Sequence, residues 1–221
     1  MTFRDKQVLE PTSEPVPRGR VGLAIPVFSY GLIAAAALRF LYDYSTGAGH
    51  SWALYGPLVR SGEWWRLLSY ALEHGGPLHI FFNMSAVYTL GAALERGLGT
   101  WRFVLVSLAT CLGSAAFALF FSFRVPTVGA SGMILGWAGA MLPISTRAGR
   151  QNLLIWLVQV AVISLLPGVS WQGHLGGFLF GLPCGIALRA GPRWFNLLGP
   201  VLVVIAAVVA VVAANPQALG R

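Results

Sequence analysis

Seven apolar stretches, joined by short polar or basic segments, constrain the fold of this chain more than any other feature. A helix of about 20 apolar residues crosses roughly 30 Å of hydrocarbon. Only 10% of the residues are charged, whereas a soluble domain usually has about 25%. The sequence therefore predicts an all-α polytopic membrane protein. The stretches lie at about residues 22–42, 78–94, 101–123, 131–145, 152–167, 173–188 and 194–214.

These stretches divide the chain into three predicted parts. Residues 1–20 are polar and proline-rich, which predicts a disordered cytoplasmic arm without the apolar core of a signal peptide. Residues 21–190 form a six-helix membrane core. Residues 191–221 form an additional, seventh C-terminal transmembrane helix and a short tail. Within the core, the tryptophan-rich segment 43–78 is typical of a partly helical hairpin in the membrane interface.

The basic residues lie mainly beside the apolar stretches. The net charge of +8 is therefore a topology signal, and we expect no nucleic-acid partner. With the amino terminus inside, ten lysines and arginines lie on the inner side and four on the outer side. This asymmetry predicts a cytoplasmic amino terminus and an external carboxyl terminus, and the compact chain favours a bacterial inner membrane. Cys111 and Cys184 fall within apolar stretches, which predicts packed thiols rather than a disulfide.

Three candidate reactive side chains begin apolar stretches that run from outside to inside. His79 begins the second stretch, Ser131 the fourth and His174 the sixth. We therefore expect all three at one level near the outer surface. They also lie at helix amino termini, where the partial positive charge favours a developing anion.

Ser131 has two interpretations on its local sequence: it caps the fourth helix, or it is a nucleophile that needs a base. Small residues favour the second interpretation, because they let the fourth and sixth helices approach closely and so bring Ser131 to His174. They recur every fourth position, at Gly132, Gly136 and Ala140 and at Gly173, Gly177, Gly181 and Gly185. No carboxylate lies in the fourth, fifth or sixth helix, so the expected arrangement is a Ser–His dyad.

His79 and Asn83 lie four residues apart and share one helical face. They either donate hydrogen bonds to an oxyanion near Ser131 or form a polar clasp between helices. His74 lies outside that helix and either lines the site or faces water. His74, His79 and His174 have no cysteine or carboxylate at their level, so we expect no metal.

Over residues 62–188 the sequence resembles the rhomboid family of intramembrane serine proteases, because it carries several motifs of that family in the same order. The matching residues are Trp65-Arg66; His74 and the segment His79 to Asn83; Gly91, Glu95 and Gly99; Gly129-Ala130-Ser131-Gly132; and His174, Gly177 and Gly181. The resemblance implies a rhomboid-like six-helix core, with Trp65, Arg66, Glu95, Gly177 and Gly181 as structural motif residues. A seventh carboxyl-terminal helix also occurs in the family.

The resemblance further implies a catalytic dyad of Ser131 and His174 with oxyanion donors His79 and Asn83. It also implies a water-filled cavity that opens to the outside, beneath a capping loop of residues 167–172. The candidate lining residues of this cavity are His74, Gly129 and Trp171. The expected partners are the lipid bilayer and transmembrane protein substrates, which are cleaved without a cofactor. The alternatives are an inactive relative that binds membrane proteins without cutting them, and a transporter.

Overall fold

The computed structural model describes residues 25–49, 51–215 and 217. The described residues are helical or irregular, apart from one isolated bridge between Leu54 and Thr127, so the all-α prediction is confirmed. The expected arm of residues 1–20 lies outside the described residues, as does most of the tail. The helices are α1 (Val27–Thr46), α2 (Gly56–Arg60), α3 (Arg66–Ser69), α4 (Pro77–Ala86), α5 (Ala92–Leu98), α6 (Thr100–Ser122), α7 (Ser131–Ile144), α8 (Arg147–Ile163), α9 (Trp171–Ala190) and α10 (Pro192–Ala213).

Helix α6 lies at the centre of the bundle. Most of its residues from Phe103 to Leu119 are buried, and α7, α9 and α10 all pack against it. Helices α6 and α10 are each long and apolar enough to cross a membrane. Helix α10 occupies the position of the expected seventh span, and its crossing of the membrane stays a prediction.

Helices α7 and α9 form the closest helix pair, as the spacing of small residues predicts. A Cβ atom at Gly177 would overlap the carbonyl oxygen of Gly132, and one at Gly181 would overlap that of Gly136. Any side chain at these positions would therefore push the two backbones apart. This contact fixes the relative position of the first turns of α7 and α9, which carry Ser131 and His174.

A continuous helical run from α4 to α5 carries the second apolar stretch. Its middle, Val87–Gly91, is a π-helical turn that the sequence pattern does not predict. Near its end, Glu95 accepts hydrogen bonds from Phe28 N (3.0 Å), Ser29 N (2.8 Å), Ser29 Oγ (2.7 Å) and Thr100 Oγ1 (2.8 Å). This buried carboxylate therefore ties the start of α1 to the turn between α5 and α6.

The segment between α1 and α4 is partly helical, as expected, and it supports the loop before α7. Leu54 and Thr127 exchange two backbone hydrogen bonds of 2.9 Å. Arg66 stabilises the conformation of this segment. Its guanidinium donates a hydrogen bond to Ala53 O (2.7 Å), forms a salt bridge with Glu63 (2.7 Å) and lies 4.5 Å from the Trp65 ring centre. The position of the segment relative to a membrane interface stays a prediction.

The boundaries of α8 and of the following loop differ from those expected. Helix α8 begins at Arg147 rather than near 152, since Thr146 caps it by accepting from Gly149 N (3.2 Å). It ends at Ile163 rather than near 167. Ser170 caps α9 by accepting from Gly173 N (3.3 Å). Because of that cap, Trp171 and Gln172 are helical, and the capping loop comprises residues 164–170 rather than 167–172.

Candidate active site

Ser131 is the first residue of α7, and Ala130 occupies the N-cap position. The capping interpretation of Ser131 is therefore wrong. Gly129 turns the chain into the helix with a φ of 112°, a conformation open mainly to glycine. Its amide donates to Tyr70 O (2.9 Å), which anchors the turn to the segment before α4. The serine hydroxyl thus projects from a fixed turn at one end of the bundle.

His174 lies in the first turn of α9, beside Ser131. Its Nε2 atom is 2.7 Å from Ser131 Oγ, so the expected meeting of the two side chains is present in the structure. On the other side of the ring, Nδ1 is 2.6 Å from Ser164 Oγ. The imidazole is therefore held between two hydroxyl groups.

His79 and Asn83 lie on the face of α4 that lines the same cavity as Ser131. Asn83 donates from Nδ2 to His79 O (2.8 Å), a bond within one helix. This hydrogen bond therefore does not connect two helices, as a polar clasp would. Its Oδ1 atom is buried without a hydrogen-bond partner among the described residues. His79 accepts a hydrogen bond from Gly75 N at Nδ1 (3.3 Å), and its Nε2 edge faces Gly129.

His74 neither lines this cavity nor faces water, so both interpretations of it were wrong. Its side chain is buried, with Nδ1 3.3 Å from Leu72 O. Its ring meets that of His79 edge to face, with ring centres 5.1 Å apart. Burial, with a smaller contribution from His79, lowers the pKa of His74 to about 4, so His74 is neutral near pH 7. It packs behind His79 and supports that ring.

Two adjoining cavities open beside these residues. The inner cavity has a volume of about 590 Å³. Its lining includes the expected dyad and oxyanion residues together with Gly129: Ser131, His174, His79, Asn83 and Gly129. The outer cavity, of about 840 Å³, lies among the loops and shares His79 and residues 167–170 with the inner one. Trp171 lines only the outer cavity, where it packs on Phe121 at 5.9 Å between ring centres. Trp171 therefore lines the cavity that adjoins the one holding Ser131 and His174, and it does not line the inner cavity itself.

Ser164 is a site residue that the sequence interpretation missed. It follows α8, is buried and contacts His174 directly. The sequence held a usable signal: successive spans alternate in direction, so the last residues of the fifth span are expected at the level where the fourth and sixth spans begin. In the part of the chain that the structure describes, no three His, Cys, Asp or Glu side chains gather as a metal site.

Comparisons with known proteins give the family that this chain resembles. A family model described as the Rhomboid domain matches residues 61–191. The chain is 33% identical to Rhomboid protease GluP of Bacillus subtilis over 201 residues, which cover 83% of this chain and 39% of that protein. It is 32% identical to RHOMBOID-like protein 4 of Arabidopsis thaliana, covering 63% of this chain and 38% of that protein.

A third relative is Rhomboid-type serine protease 2 of Emericella nidulans, which is 34% identical over 59% of this chain and 28% of its own length. The chain thus spans well under half the length of these three relatives.

Proposed function

The chain belongs to the rhomboid family and is an integral membrane protein, and from this premise we propose that it is an intramembrane serine endopeptidase. The observation that carries the proposal is the 2.7 Å contact between Ser131 Oγ and His174 Nε2 at the wall of the inner cavity. A serine becomes nucleophilic when a base within about 3 Å takes its proton. The cavity supplies the space in which a peptide carbonyl meets that serine.

In the proposed first half-reaction, Ser131 Oγ forms a bond to the carbonyl carbon while His174 Nε2 takes the hydroxyl proton. The carbonyl oxygen becomes an oxyanion. When the tetrahedral intermediate collapses, the carbon–nitrogen bond breaks, and Nε2–H gives its proton to the departing amine. The products are an acyl-enzyme on Ser131 and the new amino terminus of one fragment.

In the second half-reaction, a water molecule loses a proton to Nε2 and attacks the ester carbon. The proton then returns to Ser131 Oγ as the ester bond breaks, which releases the other fragment with a free carboxyl group and restores the dyad. The imidazole alternates between base and acid, so the proton balance closes without a third titrating group. Water reaches the ester through the two adjoining cavities.

The oxyanion is proposed to lie between α4 and the first turn of α7. The first amides of a helix have no intrahelical acceptor, so the Ser131 amide can donate to the oxyanion. Asn83 uses one Nδ2–H toward His79 O, which leaves its second Nδ2–H for the site. The His79 ring is the third proposed donor, and the buried His74 behind it limits its movement. Donors fixed before the reaction stabilise the charge that develops in it.

The proposed substrates are transmembrane segments of other membrane proteins. The inner cavity has an apolar wall formed by Phe82 and Ala86 of α4 and by Trp156, Val160 and Ile163 of α8. Such a wall accepts an apolar chain, while the polar groups of Ser131 and Asn83 meet its backbone. We also propose a bacterial inner membrane, a cytoplasmic amino terminus and seven crossings, which place the cavities and the carboxyl terminus outside.

Reconstitution in lipid vesicles tests the proposal. The purified protein is combined with a protein carrying one transmembrane segment, and fragments are measured by mass spectrometry. We expect cleavage by the parent and by Ser85→Ala, an exposed serine that bonds only its own helix at Phe81 O. Ser131→Ala and His174→Ala should each abolish cleavage. A parent that binds the substrate without cutting it would instead indicate an inactive relative.

A further inference from the structure

Ser164 is placed to act on the imidazole from the side opposite Ser131. It lies just after α8, and 7% of its surface is exposed. Its Oγ atom is 2.6 Å from His174 Nδ1 and 2.7 Å from Val160 O. The chain therefore carries a continuous row of polar atoms from Val160 O through Ser164 and His174 to Ser131.

The protons in this row have a preferred arrangement. Val160 O only accepts, so Ser164 donates its single hydroxyl proton there and accepts from Nδ1–H of His174. Nε2 then carries the lone pair and accepts from the Ser131 hydroxyl. This arrangement forms three hydrogen bonds among the four groups. In the reverse arrangement, Ser164 donates to Nδ1 and Nε2–H donates to Ser131, which gives only two.

We propose that Ser164 is a positioning residue that holds His174 in the Nδ1–H tautomer, so that Nε2 faces Ser131 as a base. This inference rests on the proposed function, because it gives His174 the protonation state that serine attack requires. A ring nitrogen is held in one state by the hydrogen bond that the other nitrogen makes. Ser164 thus takes the place that a carboxylate occupies in a Ser–His–Asp triad.

The contact also acts after the proton has moved. When Nε2 takes the Ser131 proton, the ring becomes a cation and its Nδ1–H becomes a stronger donor to Ser164 Oγ. The hydroxyl of Ser164 is in turn polarised by Val160 O, which strengthens it as an acceptor. The helices that meet at the imidazole, α7, α8 and α9, contain no aspartate or glutamate. Ser164 therefore supplies the hydrogen-bond acceptor within reach of Nδ1.

The kinetic experiment compares Ser164→Ala and Ser164→Thr with the parent. Ser145→Ala is the matched control, because Ser145 also follows a helix and bonds back to the carbonyl four residues earlier, at Met141 O (2.8 Å). We expect Ser164→Ala to lower kcat about 10- to 100-fold, as for a lost hydrogen bond to a charged group, with KM little changed. Ser164→Thr keeps the hydroxyl and should recover most of the activity.

A spectroscopic experiment reads the tautomer without any need for turnover. The protein is labelled with ¹⁵N-histidine, and the His174 signals are assigned by their loss in His174→Ala. In the parent, Nδ1 should carry the proton and Nε2 should show the shift of an unprotonated nitrogen. In Ser164→Ala, the Nε2–H tautomer should gain population, while Ser145→Ala should match the parent.

The outcomes separate the positioning role of Ser164 from the proposed protease function. If the parent cleaves and Ser164→Ala is as fast as Ser145→Ala, the role of Ser164 is refuted and the protease function stands. An Nε2–H tautomer in the parent also refutes that role, even if Ser164→Ala does not fold. If the parent does not cleave but shows the expected tautomer and its shift in Ser164→Ala, positioning by Ser164 is supported and the protease function fails.

Discussion

Substituting Gly177 with alanine tests whether the contact between α7 and α9 sets the geometry of the dyad. A Cβ atom at Gly177 would lie 2.6 Å from the carbonyl carbon of Gly132, whereas carbon atoms pack best at about 3.5–4.0 Å. The two backbones must therefore separate by about 1 Å. Because Gly132 follows Ser131 directly, much of this separation acts on the 2.7 Å contact between Ser131 and His174.

A shift of this size would stretch the contact between Oγ and Nε2 to roughly 3.5 Å or more, beyond hydrogen-bond length. A misplacement of about 1 Å lowers the rate of an enzyme about 100-fold, and we expect a fall in kcat of this order for Gly177→Ala. Overpacking also lowers the free energy of unfolding by about 1–3 kcal/mol. The two effects are separable, because kcat is measured at a temperature where the variant remains folded.

The assay is cleavage of a transmembrane substrate in vesicles, with thermal unfolding measured in parallel. Gly31→Ala is the matched control, since Gly31 is an exposed helical glycine whose added Cβ would meet no atom within 4 Å. We expect this control to match the parent in kcat and to gain about 0.5–1 kcal/mol in the free energy of unfolding, because alanine replaces a glycine within a helix. If Gly177→Ala cleaves as fast as Gly31→Ala, close docking of α7 on α9 does not control the dyad.

Three further predictions concern the surroundings of the site. Glu95→Gln weakens the charged hydrogen bonds that hold Ser29 and its neighbours, so thermal unfolding should show a loss of about 1.5–3 kcal/mol with kcat retained; unchanged stability would contradict this role. The folded-state pKa of His74 is about 4, below the unfolded value of about 6.5, so folding favours the neutral ring. The free energy of unfolding is therefore not reduced by His74 above about pH 6.5, and it falls by at most about 3 kcal/mol as the pH drops toward 4. His74→Gln should flatten this pH dependence in thermal melts. An equally steep pH dependence in the variant would refute the assignment to His74. Gly129→Ala places a Cβ 2.6 Å from His79 Nε2 at a φ of 112°, so kcat should fall about 10- to 100-fold, and parent-like kinetics would show that His79 is not held by this turn.

The sequence predicted the helices and the meeting of Ser131 with His174 because both depend on regular spacing. Apolar stretches of sufficient length mark the helices, and small residues at every fourth position mark the faces that dock. The overlap of any side chain at Gly177 with the backbone of Gly132 explains why that pattern was informative. The alternation of span direction then placed the first residues of α4, α7 and α9 at one end of the bundle.

Side-chain orientations and helix ends were not predictable in the same way, because they depend on contacts between distant residues. The ring of His74 turns inward against His79, although its loop sequence is compatible with exposure. The helical state of Trp171 follows from one capping hydrogen bond made by Ser170. Ser164 belongs to no sequence motif. Its position beside His174 depends on where α8 ends and on the path of the loop that leads to α9.

The central claim is that Ser131 is a nucleophile activated by His174, and covalent labelling tests it most directly. The reconstituted protein is treated with a fluorophosphonate, and the modified residue is identified by mass spectrometry. We predict a single adduct on the Ser131 hydroxyl that is lost in both Ser131→Ala and His174→Ala. Undiminished labelling in His174→Ala, or a folded parent that is not labelled at Ser131, would contradict the account.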